Sequence, residues 1–329
     1  MKPFPLESTV EALLAPGKGL LAADESFPTI EKRFKEINLP STENNRRAYR
    51  EMLFTTANLG RFISGAILFD ETLRQETSRG MSMVEILTRQ GIVPGIKVDE
   101  GTVPLAMTEG EKITEGLDGL RARLASYRKL GARFTKWRAV FAIAKQRPSS
   151  RAIEINSNNL ACFAALSQEA GLVPIVEPEI LMTGRHSLLT CEEVTTVVLK
   201  NVFDALFELK VTLENMLLKT GMVLPGSAGR EQANPQQIAE VTLRCFRRTV
   251  PAAVPGIVFL SGGQESKEAT IRLAALCKNT GLPWKLSFSF GRALQEPAIK
   301  SWRGSNTRLS AAQKALYDCA RRNSLALRP

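Results

Sequence analysis

The sequence predicts an α/β fold, a single (β/α)8 barrel spanning residues 1–329. Three observations carry this. Eight short apolar runs of strand length recur along the chain, their starts 44, 30, 41, 39, 39, 44 and 30 residues apart. Every interval between runs is long enough for a loop and a helix, and most hold a clear helical pattern; strands alternating with helices build a parallel sheet, and eight such units close it into a barrel. Nearly every run also ends in a charged residue or a Gly-rich turn, and the C-terminal ends of strands are where barrel active sites lie. The architecture that competes with it is an open, doubly wound sheet.

In chain order, residues 1–18 read as a helical lead-in, and the first strand is 19–23, closed by Asp24. Gly17-Lys18-Gly19-Leu20-Leu21-Ala22 matches a loose dinucleotide-binding pattern. That pattern must open a helix, whereas here it opens a strand, so no nicotinamide site is expected. A helix over 48–59 leads to the second strand, 63–69. The third strand, 93–98, carries Lys97 with Asp99 at its end. A helix over 115–130 precedes the fourth strand, 134–140, where Lys136 and Arg138 share one face and Trp137 takes the other. A helix over 157–170 precedes the fifth strand, 173–180, where Glu177 and Glu179 share a face. A helix over 191–209 leads to a sixth strand over 212–218, ended by Lys219. Helices over 235–248 and 266–278 flank the seventh strand, 256–260, which ends in Ser261-Gly262-Gly263. The eighth strand, 286–290, ends in Gly291-Arg292. An Arg-rich helical pattern follows Lys300, and 323–329 form a short tail.

Composition narrows the chemistry. Residues 249–264 form the longest stretch without Asp, Glu, Lys or Arg, but they include two prolines and three glycines and fall short of the roughly 20 apolar residues a membrane span needs. No membrane association is expected. The five cysteines, at 162, 191, 245, 277 and 319, form no C-x-x-C pair, which argues against a disulfide framework and for a reducing compartment. The start of the chain lacks the apolar core of a secretory signal, so the expected location is the cytoplasm, with the plastid stroma as the other compartment such a chain would fit. His186 is the single histidine, which excludes sites needing two or three His ligands on one chain and leaves a His-based triad without support. No metal is expected. The net charge of +11 suits an anionic partner. With only 6% aromatic residues and no dense basic run beside stacking rings, a phosphorylated small molecule is favoured over nucleic acid.

Taken singly, each charged strand end reads as a solvated loop residue or a salt-bridge partner. Together, lysines, arginines and carboxylates converging on one barrel mouth are costly unless they pair or do chemistry. A lysine crowded by cations has a depressed pKa, and a neutral amine can attack a ketone to form an iminium. The iminium is an electron sink that permits reversible C–C cleavage of a sugar without a metal. Carboxylates can move the protons, a Ser-Gly-Gly turn can offer backbone N–H groups to a phosphate, and Arg292 can grip it bidentately.

These residues resemble the class I, Schiff-base-forming fructose-1,6-bisphosphate aldolases. The matching stretches include GKGLLAADES at 17–26, ENNRRAYREMLF at 43–54, PGIKVDEGTVPLA at 94–106, KWRAV at 136–140, VPIVEPEIL at 173–181, LLK at 217–219, RRTVPAAVPGIVFLSGGQ at 247–264 and SFSFGRALQ at 287–295, in order over about residues 10–325. The resemblance implies a (β/α)8 barrel, a homotetramer and no cofactor. It implies reversible cleavage of fructose 1,6-bisphosphate to dihydroxyacetone phosphate and glyceraldehyde 3-phosphate. Lys219 matches the Schiff-base lysine, Glu177 the acid/base carboxylate, and Asp24 the carboxylate acting at C4. Lys136 matches the lysine beside the nucleophile, with Arg138 and Glu179 completing its network. Ser26, Thr29, Lys32, Arg33 and Lys97 match the far-phosphate region. Ser261, Gly262, Gly291 and Arg292 match the site for the phosphate of the dihydroxyacetone half. The chain departs from the family at Phe27-Pro28, at Glu100 and in lacking a terminal Tyr. Two alternatives follow from these departures: a preference for fructose 1-phosphate or sedoheptulose 1,7-bisphosphate, or a non-catalytic binding role on the same scaffold.

Overall fold

The computed structural model describes residues 6–328. Ten strands run in chain order: β1 Gly19–Ala23, β2 Ile63–Leu68, β3 Val93–Lys97, β4 Gly101–Pro104, β5 Lys112–Glu115, β6 Phe134–Ala142, β7 Val173–Leu181, β8 Leu217–Thr220, β9 Gly256–Phe259 and β10 Lys285–Phe290. Eight of them close a barrel in the order β1-β10-β9-β8-β7-β6-β3-β2, all paired parallel. β4 and β5 form a separate antiparallel hairpin. The helices are α1 Leu6–Leu13, α2 Phe27–Lys35, α3 Glu43–Phe54, α4 Asp70–Arg74, α5 Met83–Arg89, α6 Leu120–Lys129, α7 Ser150–Glu169, α8 Leu188–Glu208, α9 Pro235–Thr249, α10 Ser266–Cys277, α11 Arg292–Trp302 and α12 Leu309–Ala326.

The two-residue strand period divides the side chains into two cores. Outward residues such as Trp137 and Phe259 pack under the helices, Trp137 stacking on Phe163 of α7 at 5.7 Å and Phe259 on Phe246 of α9 at 6.0 Å. Inward residues fill the lower barrel with Leu20, Ile67, Phe134, Ile175, Leu217 and Val258, and α1 closes it from below with Val10 and Leu13, joined by Leu14 just after the helix. Two glycines make this packing fit. A Cβ on Gly95 would lie 2.3 Å from the Phe134 ring, and one on Gly256 would lie 2.5 Å from Leu14 Cδ2. The apolar plug ends where the charged residues begin, so the polar half of the interior opens only at the C-terminal ends of the strands.

Several boundaries differ from the sequence expectation. The sixth barrel strand is Leu217–Thr220 rather than 212–218, because Asn215 N–H closes a 3-10 turn onto the Thr212 carbonyl at 3.0 Å. Lys219 is therefore within the strand and not beyond its end. The expected helix over 115–130 starts only at Leu120, after Gly119 with φ +67°, because the preceding residues pair as the β4–β5 hairpin. The expected helix over 48–59 begins at Glu43, where the Thr42 hydroxyl accepts from Asn45 N–H, and the helix over 157–170 begins at Ser150, capped by Ser149. These caps place Ser or Thr where their oxygens satisfy orphan N–H groups. Of the expected tail over 323–329, residue 329 lies outside the described residues, as do 1–5 of the expected lead-in; 323–326 belong to α12, and the Ser324 hydroxyl donates to the Gly17 carbonyl at 2.6 Å.

Candidate active site

At the C-terminal mouth of the barrel lies a cavity of about 460 Å³. Of the fifteen residues singled out from the sequence, fourteen line it: Lys219, Glu177, Asp24, Lys136, Glu179, Arg138, Ser26, Thr29, Arg33, Lys97, Ser261, Gly262, Gly291 and Arg292. Lys32 does not. It projects from α2 into solvent, whereas Arg33, one residue on, turns inward to Glu25; successive helix residues point about 100° apart, so they cannot share the cavity. Larger hollows exist elsewhere, about 980 Å³ between α5 and α6 and about 630 Å³ between α9 and α10. Neither gathers a lysine beside an acid/base carboxylate in a buried wall.

The centre is a chain of ion pairs. Lys136 Nζ lies 2.8 Å from Asp24 Oδ2, 3.5 Å from Glu177 Oε2 and 3.7 Å from Asp99 Oδ2. Lys219 Nζ lies 3.2 Å from Glu177 Oε1. Lys97 and Lys136 are register partners on neighbouring strands, and Asp99 makes that tolerable by pairing with both, at 2.6 Å to Lys97. Arg138 Nε donates to Glu179 Oε2. Lys136, Lys219 and Glu177 are each no more than 4% exposed. At such burial a charge is tolerated only with a partner, and the carboxylates are that partner.

The electrostatics differ from a crowd of cations. Burial alone disfavours the Lys136 ammonium, but Asp24, Glu177 and Asp99 outweigh it and raise its pKa. Lys136 is thus a fixed positive charge. Burial likewise disfavours the Asp24 carboxylate, but Lys136, then Lys219 and Lys97, hold its carboxyl well below the usual carboxylate range. The sign for stability follows: a group with a depressed folded pKa stabilises above its unfolded pKa and loses that contribution as pH falls through the folded value. The stability gap between the unaltered chain and Asp24→Asn should therefore stay constant above about pH 4 and shrink progressively below it. Urea unfolding across an acid series checks this; a gap that shrinks between pH 8 and 5 would contradict the assignment.

The ends of the cavity carry loops and helix starts. Ser26 stands at the N-terminus of α2 without capping its helix, its hydroxyl 3.2 Å from that of Thr29. Gly291 precedes the first residue of α11, Arg292, whose Nη2 donates to the Gly263 carbonyl at 2.6 Å. Gly262 and Gly263 hold φ +53° and +93°, a left-handed stretch that suits glycine. Arg33 reaches toward both ends: its Nη2 lies 3.7 Å from where a Cβ on Gly291 would sit.

Sequence reasoning left several residues out of the site. Asp99 was legible at the end of the third strand, but nothing local showed that it bridges two lysines. Glu25 lines the cavity and pairs with Arg33 and Arg50. Ser289, also on the wall, buries its hydroxyl without a hydrogen-bond partner among the described residues. Its position two residues before Gly291, on the inward face of β10, was the available signal.

Comparison with known proteins agrees with this geometry. A family model described as fructose-bisphosphate aldolase class-I matches residues 5–328. A "probable fructose-bisphosphate aldolase class 1" of Xanthomonas axonopodis is 52% identical over 322 residues, covering 98% of this chain and 96% of its own length. "Fructose-bisphosphate aldolase 4, cytosolic" of Arabidopsis thaliana is 52% identical over 312 residues, 94% of this chain and 79% of its own length. Among solved structures, fructose-bisphosphate aldolase from Plasmodium falciparum, in complex with TRAP and a small-molecule inhibitor, superposes with a TM-score of 0.96 at 47% identity. That match covers 98% of this chain and 93% of the other.

Proposed function

The chain belongs to the class I fructose-bisphosphate aldolase family, and on that premise we propose that Lys219 is its Schiff-base nucleophile and Glu177 its proton carrier. The observation that carries this is the contact of Lys219 Nζ with Glu177 Oε1 at 3.2 Å, in a buried wall beside the fixed Lys136 cation. In the proposed sequence the Lys219 amine attacks C2 of the open-chain ketose. Glu177 gives a proton to the carbinolamine hydroxyl, which leaves as water, and an iminium forms. A carboxylate then takes the C4 hydroxyl proton, and the C3–C4 bond breaks. Its electron pair moves into the iminium to give an enamine, and glyceraldehyde 3-phosphate departs. Protonation at C3, by Glu177 or a water it holds, and hydrolysis release dihydroxyacetone phosphate and the free lysine.

The low Asp24 pKa supports a division of labour. A carboxylate that stays ionised orients the C4 hydroxyl and carries charge, which leaves Glu177 to accept the proton. Lys136, held positive by its partners, stabilises negative charge developing at C4. For the phosphates, the open N-terminus of α2 with Ser26, Thr29 and Lys97 suits one end of the substrate. The N-terminus of α11 with Gly291, Arg292, Ser261 and Gly262 suits the other, since helix N-termini present N–H groups and a positive dipole end to anions. Arg33, near Gly291, serves the second end as well as the first. We also assign a homotetramer located in the cytoplasm. The exposed Leu189, Val197 and Phe207 along α8 support self-association, and relatives named as cytosolic support the location.

Borohydride reduction in the presence of dihydroxyacetone phosphate, followed by peptide mass mapping, tests the reading. A reduced adduct on Lys219 is expected. Its absence on folded protein that still binds the sugar phosphate would leave a binding scaffold without this chemistry.

A further inference from the structure

Glu25 is a buried carboxylate at the site with no role in the proposed chemistry. It is 8% exposed and lies next to Asp24. Its Oε1 pairs with Arg33 and accepts from Gln295 Nε2 at 2.8 Å, and its Oε2 lies 2.5 Å from Arg50 Nη1. The same Gln295 Nε2 donates to the Ala22 carbonyl at 2.6 Å. Gln295 thus holds the backbone before Asp24 and the side chain after it through one amide nitrogen. That amide is also held from behind: the Tyr49 hydroxyl donates to Gln295 Oε1 at 2.9 Å. Tyr49 and Gln295 are both 0% exposed, and the Tyr49 ring is wedged against Phe34 and Trp302 at 5.6 and 5.5 Å. An amide rotated by 180° would turn its oxygen to two acceptors, the Ala22 carbonyl and Glu25 Oε1, so those acceptors select the rotamer and the Tyr49 hydroxyl anchors it in place.

This arrangement answers a mechanical problem. Asp24 lies just beyond the last residue of β1, outside the regular ladder, yet its carboxylate must meet Lys136 Nζ at 2.8 Å across the barrel. Tethers on either side of it, from α3 and α11, supply the order that strand pairing no longer provides. We propose that Gln295, anchored by Tyr49, is a positioning residue for the reaction, acting through Ala22 and Glu25 to hold Asp24 at its working distance. This rests on the role given to Asp24 above.

The test is a cycle of Gln295→Met and Asp24→Asn, singly and together, in the full-length chain, reading kcat and KM for fructose 1,6-bisphosphate cleavage. Methionine keeps the volume of Gln295 but removes both donors. Misplacement of a positioned group lowers the rate by roughly tenfold to a hundredfold. Gln295→Met should lower kcat by about that factor with KM within about twofold, and should have almost no further effect on kcat once Asp24 is asparagine. Equal losses in both backgrounds, or an unchanged kcat, would overturn the proposal. Tyr49→Phe removes only the anchoring hydroxyl and guards against a Gln295 variant that does not fold. It should lower kcat several-fold, again only when Asp24 is present, and an unchanged kcat in this variant is equally fatal. If the unaltered chain traps substrate on Lys219 and Gln295→Met cleaves as fast, the clamp fails and the Schiff-base reading stands. If the unaltered chain neither traps nor cleaves, both fall.

Discussion

Lys219→Met lowers kcat/KM by about 10⁵-fold or more, because no other amine at the site can supply the electron sink and nucleophile knockouts cost on that order. Lys136 is the nearest candidate to substitute for it. Its nitrogen is held by three carboxylates, all of which stabilise its protonated form, so it is a poor nucleophile. The fold should tolerate the change. Methionine occupies similar volume, and Glu177 keeps Lys136 as a partner at 3.5 Å when the Lys219 nitrogen 3.2 Å from its other oxygen is removed. The expected signature is a variant that unfolds near the normal urea concentration, gives no borohydride adduct and shows no measurable cleavage. A variant with an adduct on another lysine and appreciable activity would move the nucleophile elsewhere.

Lys136→Met should damage both stability and activity. The substitution leaves Asp24, Asp99 and Glu177 facing one another in a wall where each is buried or nearly so. Breaking a buried ion pair from one side costs about 3–5 kcal/mol, because the abandoned charge stays desolvated. Lys97 still neutralises Asp99 at 2.6 Å and Lys219 still lies 3.2 Å from Glu177, which places the main burden on Asp24. Activity should fall by roughly 10²–10³-fold from the lost electrostatic stabilisation alone. The pH dependence distinguishes this from simple cavity formation. Without Lys136 the largest pull lowering the Asp24 pKa is gone while its burial remains, so that pKa moves up in the folded variant, and a group whose folded pKa moves up gains stability relative to the unaltered chain as pH falls. The stability deficit of Lys136→Met should therefore narrow as pH falls from 7 toward 4. A deficit independent of pH would show that the lysine matters for packing and not for charge. Urea denaturation at a series of pH values, alongside steady-state cleavage, gives both readings.

The parts of the molecule that were readable in the sequence share a short range. The alternation of Phe134, Lys136 and Arg138 with Thr135, Trp137 and Ala139 shows which side chains face the interior of β6 without reference to any other strand, and the fold places them so. The same holds for Ile175, Glu177 and Glu179 on β7. Where a boundary depends on a partner, local reading slips. The run at 212–218 is as apolar as a strand, but the ladder begins only where Leu217 finds Ile175. The helix expected over 115–130 starts only at Leu120, because Glu115 ends a strand that pairs with 101–104. Lys32 and Arg33 are equal candidates in sequence, and only the direction of α2 separates the exposed one from the one that pairs with Glu25.

The sequence by itself determined the eightfold strand repeat, the inward faces, and the set of lysines and carboxylates delivered to one end of the barrel, because side-chain direction along a strand is a property of the local backbone. The tertiary structure alone decided which charges pair: that Asp99 reconciles Lys97 with Lys136, that Glu177 lies between two lysines, and that Tyr49 and Gln295 tether the segment around Asp24. These contacts join residues up to 273 positions apart. Their energies depend on distance and burial, which arise only when the barrel closes.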